Sequence, residues 1–177
     1  MKKIILSAIV AVCAISANAQ VWAGGRLGFV ATSGDAYAET QTQLTIAPEV
    51  GYAINEKVDI AAALNFSLLN NRNGVKDQNF TTIEIEPYAR YTFAEAGIAK
   101  FFVDGYVSFG SYKQKGFDAT TAFGVGVRPG VKVALADNVN LVTTLGSLGY
   151  YSVKDDYDRF GFDLNSKGLT FGLYFNF

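Results

Sequence analysis

Histidine is missing from the 177 residues, and only one cysteine, three prolines and one tryptophan are present. Without histidine the chain has no imidazole to serve as the general base of a catalytic triad. The single cysteine, Cys13, lies in an apolar stretch near the N-terminus, so no disulfide can form within the chain. Stability must therefore come from packing or from closed backbone hydrogen bonding.

A strong excess of either charge is also lacking, since 15 lysines and arginines face 16 aspartates and glutamates, a net charge of −1. No basic stripe of the kind that binds nucleic acid is present, so nucleic acid is not expected as a partner. Gly124 and Gly126 precede no helical pattern, so they do not predict a dinucleotide-binding loop, and no cofactor is expected.

The chain has one long apolar run, at residues 4–15, and no second one. Two lysines precede this run, and a small-x-small cleavage pattern at residues 17–19 follows it. This order is typical of a secretory signal peptide, and the run is shorter than the roughly 20 residues of a membrane-spanning helix. The sequence therefore predicts a cleaved signal peptide at residues 1–19 and one exported domain at residues 20–177.

Alternation of apolar with small or polar residues is what the chain has in abundance. Hydrophobic residues make up 50% of it, yet mean hydropathy is only +0.17 because they are spread along the sequence. From Leu169 to Phe177 every second residue is large and apolar, which is the period of a β-strand with two different faces. Eight such segments are predicted, at residues 22–31, 43–54, 58–68, 82–93, 101–110, 122–135, 139–150 and 169–177.

The connections between these segments alternate in length. Long polar connections are predicted at residues 33–41, 70–80, 111–120 and 151–166, and short ones at residues 55–57, 94–99 and 136–138. Short turns at one end and long loops at the other are typical of membrane barrels. The predicted fold is all-β, an eight-stranded antiparallel up-and-down β-barrel.

Alternation alone does not distinguish a transmembrane barrel from a soluble lipocalin-like one, which would turn its apolar face inward around a ligand. The composition of the polar face favours the membrane. Many of its residues are glycine or alanine: Gly24, Gly28, Ala47, Gly51, Ala61, Ala63, Gly124, Gly126, Gly130, Ala134 and Gly172. A water-exposed surface has no need of such small residues, whereas the narrow lumen of an eight-stranded barrel does.

The same face carries charges of both signs. They are Arg26, Glu49, Asp59, Glu84, Glu86, Arg90, Asp104, Arg128 and Lys132. Buried charges are costly unless they are paired, so the sequence predicts a structural salt-bridge network that plugs the lumen. The apolar face carries none of them, as a lipid-facing surface requires.

Prolines and aromatic residues add two expectations. Pro48, Pro87 and Pro129 fall on the apolar face, and because proline lacks a ladder donor, each is expected at a bulge or an unpaired strand end. Aromatic residues near strand ends are expected to form the interfacial girdles of a membrane barrel: Trp22, Tyr52, Tyr91, Tyr150, Tyr151 and Phe177.

Two candidate sites of chemistry are weighed and set aside. Glu84 and Glu86 could form a pair of catalytic carboxylates, but they share a strand face with Arg90 and are better explained as members of the network. Residues 154–159 are acidic, yet they lack the glycine and the distant glutamate of an EF-hand, which favours a solvated loop over a calcium site. No catalytic or metal-binding residue is predicted, and the protein is not expected to be an enzyme.

Three segments carry a family resemblance: residues 48–52 (PEVGY), 87–91 (PYARY) and 124–131 (GVGVRPGV). They resemble strand motifs of the outer-membrane β-barrel family related to OmpX and the OmpA transmembrane domain, including porin-family members of the Bacteroidetes type. The resemblance implies residence in a Gram-negative outer membrane, with lipid, lipopolysaccharide and the barrel-assembly machinery as partners. It also implies a C-terminal assembly signal, formed by Phe171, Leu173, Phe175 and Phe177.

Three functions follow as hypotheses. The favoured one is a monomeric, non-enzymatic barrel with a plugged lumen, whose four loops serve surface interaction, adhesion to surface or host ligands, or envelope integrity. The first alternative is a small porin-like channel for ions or small solutes. The second is a soluble periplasmic lipocalin-like ligand-binding barrel.

Overall fold

The computed structural model describes residues 21–34, 38–155, 157–163 and 169–177, and the predicted signal peptide lies outside them. The strands are β1 (Val21–Thr32), β2 (Gln41–Ala53), β3 (Val58–Asn70), β4 (Phe80–Ala96), β5 (Ala99–Gln114), β6 (Ala119–Ala136), β7 (Val139–Leu145), β8 (Ser147–Val153), β9 (Tyr157–Asp163) and β10 (Leu169–Asn176). A short 3₁₀ turn (Arg72–Gly74) precedes β4. No helix in the described part of the chain is long and apolar enough to cross a membrane.

The strands form one closed antiparallel barrel. Chain neighbours pair from β1 through β6, and β10 pairs with both β7 and β1. The ring closes between β1 and β10, where Trp22 lies opposite Asn176 and Leu27 lies opposite Phe171. β6 pairs with both β7 and β8, which are therefore two halves of one barrel strand, and β9 and β10 are two halves of the next. The predicted eight-stranded barrel is confirmed.

The seventh barrel strand is interrupted at Gly146, which has a φ of 67°. On β6, Gly130 pairs with Thr144 and Val127 pairs with Leu148, so the partner strand carries one extra residue. This is a β-bulge, and glycine adopts the positive φ found here at no steric cost. The prediction of one continuous strand at residues 139–150 was wrong at this point.

Two of the predicted long connections are shorter than expected. β8 and β9 pair as a hairpin over most of residues 151–166, which were predicted as a loop. β5 continues to Gln114 and β6 begins at Ala119, so the connection between them is only residues 115–118. In both places the alternation of a strand continues into more polar sequence. Backbone hydrogen bonding to the neighbouring strand is sufficient to hold these polar residues in a strand.

The two ends of the barrel differ in two of the four predicted loops, at residues 33–40 and 71–79, which are longer than any turn-end connection. The turn end holds the connections at residues 54–57, 97–98 and 137–138. The loop end holds the connections at residues 33–40, 71–79 and 115–118, together with the tip of the β8–β9 hairpin.

The three prolines behave differently from one another. Pro48 and Pro87 lie in mid-strand with an unshifted register on both sides, so the prediction of a bulge or strand end was wrong for them. A missing N–H interrupts one ladder bond but does not require an inserted residue. Pro129 does lie opposite the bulge just described. The remaining register shifts lie near the turn end, at residues 92–94 and 134–136.

The two faces of the sheet are as the alternation predicts. Large apolar side chains cover the outside, and Leu27, Phe29 and Phe171 are more than half exposed there. Inside, one buried cluster lies toward the turn end: Trp22, Ala63, Tyr88, Phe102, Val142 and Tyr174. A second lies toward the loop end: Phe80, Tyr112, Ala122 and Val153.

Four of the six aromatic residues predicted for the interfacial girdles are exposed on the barrel surface. The exposed four are Tyr52, Tyr91, Tyr150 and Phe177. Trp22 was placed wrongly, because its side chain is only 5% exposed and packs inside the barrel. Tyr151 was also placed wrongly, since it lines the lumen. Both occupy inward positions of their strands, and strand parity outweighs closeness to a strand end.

Candidate functional site

Six buried charged side chains meet across the middle of the lumen, and together they are termed the charged layer. Its members are Arg26 on β1, Glu49 on β2, Glu86 and Arg90 on β4, Asp104 on β5 and Arg128 on β6. None is more than 8% exposed. Three positive and three negative charges make the layer electrically neutral, which is the condition under which buried charges can be retained.

The ion pairs of the charged layer form one continuous chain. Glu49 pairs with Arg26, whose Nη2 lies 3.2 Å from Oε1 of Glu86. Nη2 of Arg128 lies 2.7 Å from the same Glu86 oxygen, and Nε of Arg128 lies 3.3 Å from Oδ2 of Asp104. Every acidic member therefore contacts at least one arginine, and the chain crosses from one barrel wall to the other.

Arg90 completes the chain with a two-pronged contact. Its Nε and Nη2 donate to the two carboxylate oxygens of Asp104 at 2.7 and 3.0 Å. A bidentate arginine–carboxylate pair is stronger and more directional than a single ion pair. Arg90 Nη1 has no hydrogen-bond acceptor among the described atoms, so this side of the guanidinium relies on aromatic rings.

Those rings form an aromatic floor on the turn-end side of the charged layer. The guanidinium carbon of Arg90 lies 3.8 Å from the ring centroid of Phe102. The rings of Tyr88, Tyr174 and Trp22 lie 5.5, 5.5 and 5.9 Å from the same carbon. Such cation–π contacts contribute more when the cation is desolvated, as it is here.

Two residues of the site were missed by sequence reasoning. Tyr88 and Tyr174 donate their phenolic hydrogens to Oε2 of Glu49, at 2.5 and 2.6 Å. Glu49 thereby receives donors from β1, β4 and β10. Strand alternation could have identified both tyrosines. They alternate with lipid-facing residues, so their hydroxyl groups must lie in the lumen.

Small residues make room for the aromatic floor, as two glycines show. A Cβ at Gly51 would overlap the indole of Trp22, and one at Gly130 would overlap the ring of Phe102. These glycines are therefore required by close approach of a ring to the backbone.

The other three predicted charges lie outside the charged layer. Nζ of Lys132 lies 3.9 Å from Oδ2 of Asp59, which forms a separate pair toward the turn end. Glu84 accepts a hydrogen bond from Ser108 Oγ at 3.3 Å but makes no ion pair with any described residue. The structure thus brings six of the nine predicted residues into one cluster.

The charged layer is poorly suited to acid–base chemistry. The carboxylate of Glu86 is held between Arg26 and Arg128, which stabilise its ionised form and restrict its movement. Among residues 21–34, 38–155, 157–163 and 169–177, no three acidic, histidine or cysteine side chains are grouped to hold a metal ion.

The last strand presents the predicted assembly residues to the outside. Phe171, Leu173, Phe175 and Phe177 are all 44 to 53% exposed. The backbone N–H of Phe177 donates to the carbonyl of Val21 at 3.0 Å, so hydrogen bonding between the two ends of the barrel reaches the last residue.

The chain is similar to one described protein family and to several solved structures. A family described as outer membrane protein beta-barrel domain matches residues 4–177. The crystal structure of Neisserial surface protein A (NspA) aligns with a TM-score of 0.57 and 21% identity, covering 89% of this chain and 96% of that one. The Yersinia pestis outer membrane protein Ail, in a phospholipid bilayer nanodisc, aligns with a TM-score of 0.47 and 14% identity, covering 88% of this chain and 99% of that one. No curated protein matches the chain.

Proposed function

Since this chain belongs to the outer membrane protein beta-barrel domain family, whose members lie in the outer membrane, we propose that it is a non-enzymatic membrane protein with a plugged barrel. In this proposal the barrel is a rigid support, and its loop end serves surface interaction, adhesion or envelope integrity. The observation that carries the proposal is the continuous chain of ion pairs across the lumen.

The energetics of the charged layer oppose a permanent channel. A permeating ion would have to separate pairs such as Arg128 and Glu86, which are both nearly inaccessible to solvent. Breaking a buried pair costs about 3 to 5 kcal/mol, because the remaining charge is left without a partner. The aromatic floor adds a second obstacle on the turn-end side.

The outer surface argues against the soluble alternative. A soluble barrel would have to expose the apolar residues of every strand to water, far more apolar area than monomeric soluble proteins expose in one patch. In a bilayer the same surface is favourable.

The loop end offers the surfaces for interaction. Phe117 in the β5–β6 connection is 65% exposed. Aromatic residues of this kind are frequent anchors of protein and ligand interfaces.

Orientation in the membrane is tested by epitope insertion at two matched positions. Gly116, at the loop end, and Gly97, at the turn end, both have a positive φ, and a side chain added at either would meet nothing within 4 Å. An epitope at Gly116 is expected to label intact cells, and one at Gly97 only permeabilised cells. The reverse pattern would contradict the proposed orientation.

The role of the loops is tested in cells that lack the gene. A barrel with shortened loop-end connections is expected to insert but not to restore surface binding or envelope integrity, whereas the complete chain restores them. Equal restoration by both would place the role in the barrel wall and contradict loop display.

Export and assembly complete the proposal. N-terminal sequencing of the membrane-inserted protein is expected to begin at Gln20, and a start at Met1 would exclude cleavage of residues 1–19.

Deletion of Phe177 is expected to lower the yield of inserted protein more than the stability of barrels already formed. A normal yield would remove the assembly role from this residue.

A further inference from the structure

Between the charged layer and the loop end, the lumen widens into a cavity of about 530 Å³, termed the vestibule. Its wall includes the neutral polar side chains of Gln43, Thr45, Asn65 and Ser67. Arg26, Glu86 and Arg128 form its floor, and they are engaged with one another in the neutral charged layer. The vestibule is therefore a polar chamber above a floor whose charged side chains are already engaged in ion pairs.

Glu84 places a negative charge on the vestibule wall, which Arg159 also lines. Ser108 donates a hydrogen bond to its carboxylate at 3.3 Å, and the Tyr151 hydroxyl is a second hydrogen-bond neighbour. No cationic side chain pairs with it in the described part of the chain. A partly buried carboxylate of this kind is stabilised by a cation that enters the cavity.

Arg72 places an uncompensated positive charge near the mouth. Its guanidinium lies 5.1 Å from the ring centroid of Phe80 and 5.7 Å from that of Tyr157, and Nη1 donates to the Tyr112 hydroxyl at 3.1 Å. No carboxylate of a described residue pairs with it. These contacts fix the guanidinium in place and leave most of its five N–H donors available for an anionic group.

Glu84 and Arg72 lie at different depths of the same chamber. Phe80, against which Arg72 packs, and Glu84 are both inward residues of β4, four positions apart. Four residues of strand correspond to about 13 Å. An extended tripeptide separates its terminal charges by about 10 Å, and the lengths of the two protein side chains cover the difference.

We propose that the vestibule binds an elongated zwitterion of tripeptide size, with its ammonium group at Glu84 and its carboxylate at Arg72. The neutral polar wall between them supplies hydrogen bonds to the middle of the ligand. A ligand that enters from the loop end does not cross the charged layer. Whether the barrel conducts ions therefore does not affect this inference.

Three related probes test the proposal on the full-length protein folded in detergent micelles. Triglycine carries both charges, triglycine amide only the positive one, and N-acetyl-triglycine only the negative one. Calorimetric titration is expected to show that triglycine binds about tenfold more tightly than either blocked form, the difference expected from one charge-assisted contact. Failure of triglycine to bind, or equal binding of all three, would overturn the proposal.

Two substitutions assign the charges to their ends. Glu84→Gln is expected to weaken triglycine about tenfold and to leave N-acetyl-triglycine unchanged, while Arg72→Gln weakens triglycine similarly and leaves triglycine amide unchanged. Neither change breaks an ion pair among the described residues, so both variants are expected to fold. Glu95→Gln, which alters an exposed pair with Lys100 at the turn end, is the matched control and should change nothing. If the two vestibule variants bind triglycine as the control does, the assignment is wrong.

Discussion

The phenolic oxygen of Tyr174 lies 2.6 Å from Oε2 of Glu49, across 125 positions of sequence. Tyr174 belongs to the strand that closes the barrel, and Glu49 belongs to the charged layer. Closure of the barrel and filling of its lumen are therefore coupled through one hydrogen bond to a buried charge.

Tyr174→Phe is expected to lower the free energy of unfolding by about 1.5 to 3 kcal/mol, the contribution of a hydrogen bond to a charged group. Urea titration in lipid vesicles can follow this through the fluorescence of Trp22, the sole tryptophan, whose ring stacks on Tyr174 with centroids 4.5 Å apart. Tyr91→Phe, at an exposed position, is the control and should have little effect. Equal stability of the two variants would contradict the coupling.

Arg90→Met tests the buried end of the ion-pair chain. Removing the guanidinium leaves Asp104 without its bidentate partner, and we expect a loss of about 3 to 5 kcal/mol in unfolding free energy. Lys100→Met removes an exposed ion pair with Glu95 and should cost less than about 1 kcal/mol. A loss at Arg90 no larger than the one at Lys100 would show that the charged layer contributes nothing specific.

Gly130→Ala tests the fit of the aromatic floor. The added methyl group meets the fully buried ring of Phe102 and the backbone carbonyl oxygen of Thr143. Overpacking of this kind costs about 1 to 3 kcal/mol. Gly105→Ala, on the outer face with nothing within 4 Å, is the matched control and should be tolerated. Equal destabilisation by Gly130→Ala and Gly105→Ala would contradict the close fit of the aromatic floor.

Leu173→Arg and Thr170→Arg test which face of β10 meets lipid. Leu173 is 46% exposed on the outer face, and arginine near the bilayer midplane costs about 2 to 4 kcal/mol, so insertion into vesicles should fall. Thr170 points inward, where its hydroxyl lies 2.7 Å from that of Thr144. Arginine at position 170 should instead crowd the lumen and lower stability after insertion. Equal tolerance of both changes would undo the assignment of faces.

Strand parity is the part of this structure that the sequence predicts well. A period of two assigns each residue to one face, and this was sufficient to place the six members of the charged layer inside. Pairing partners could not be predicted, because they depend on the stagger of neighbouring strands. Glu84 and Glu86 share a face, yet only Glu86 is level with arginines on other strands.

Sequence predictions were wrong where a local feature, such as closeness to a strand end, disagreed with strand parity or with strand pairing. Trp22 was assigned to the membrane interface from its place at a strand end, but its inward position brings it onto Tyr174. The β8–β9 hairpin was hidden because the bulge at Gly146 shifts the alternation just before it. The position of Trp22 depends on a contact between the first and last strands, and the hairpin depends on backbone pairing that composition does not reveal.

The central claim is that the charged layer closes the lumen, and single-channel recording in planar bilayers tests it most directly. The full-length protein, shown to be inserted by protection of its strands from protease, is applied at a range of voltages. No stable openings are expected, because the ion-pair chain from Glu49 to Arg90 stays intact. Frequent openings of one defined conductance would contradict it and favour the small porin-like channel.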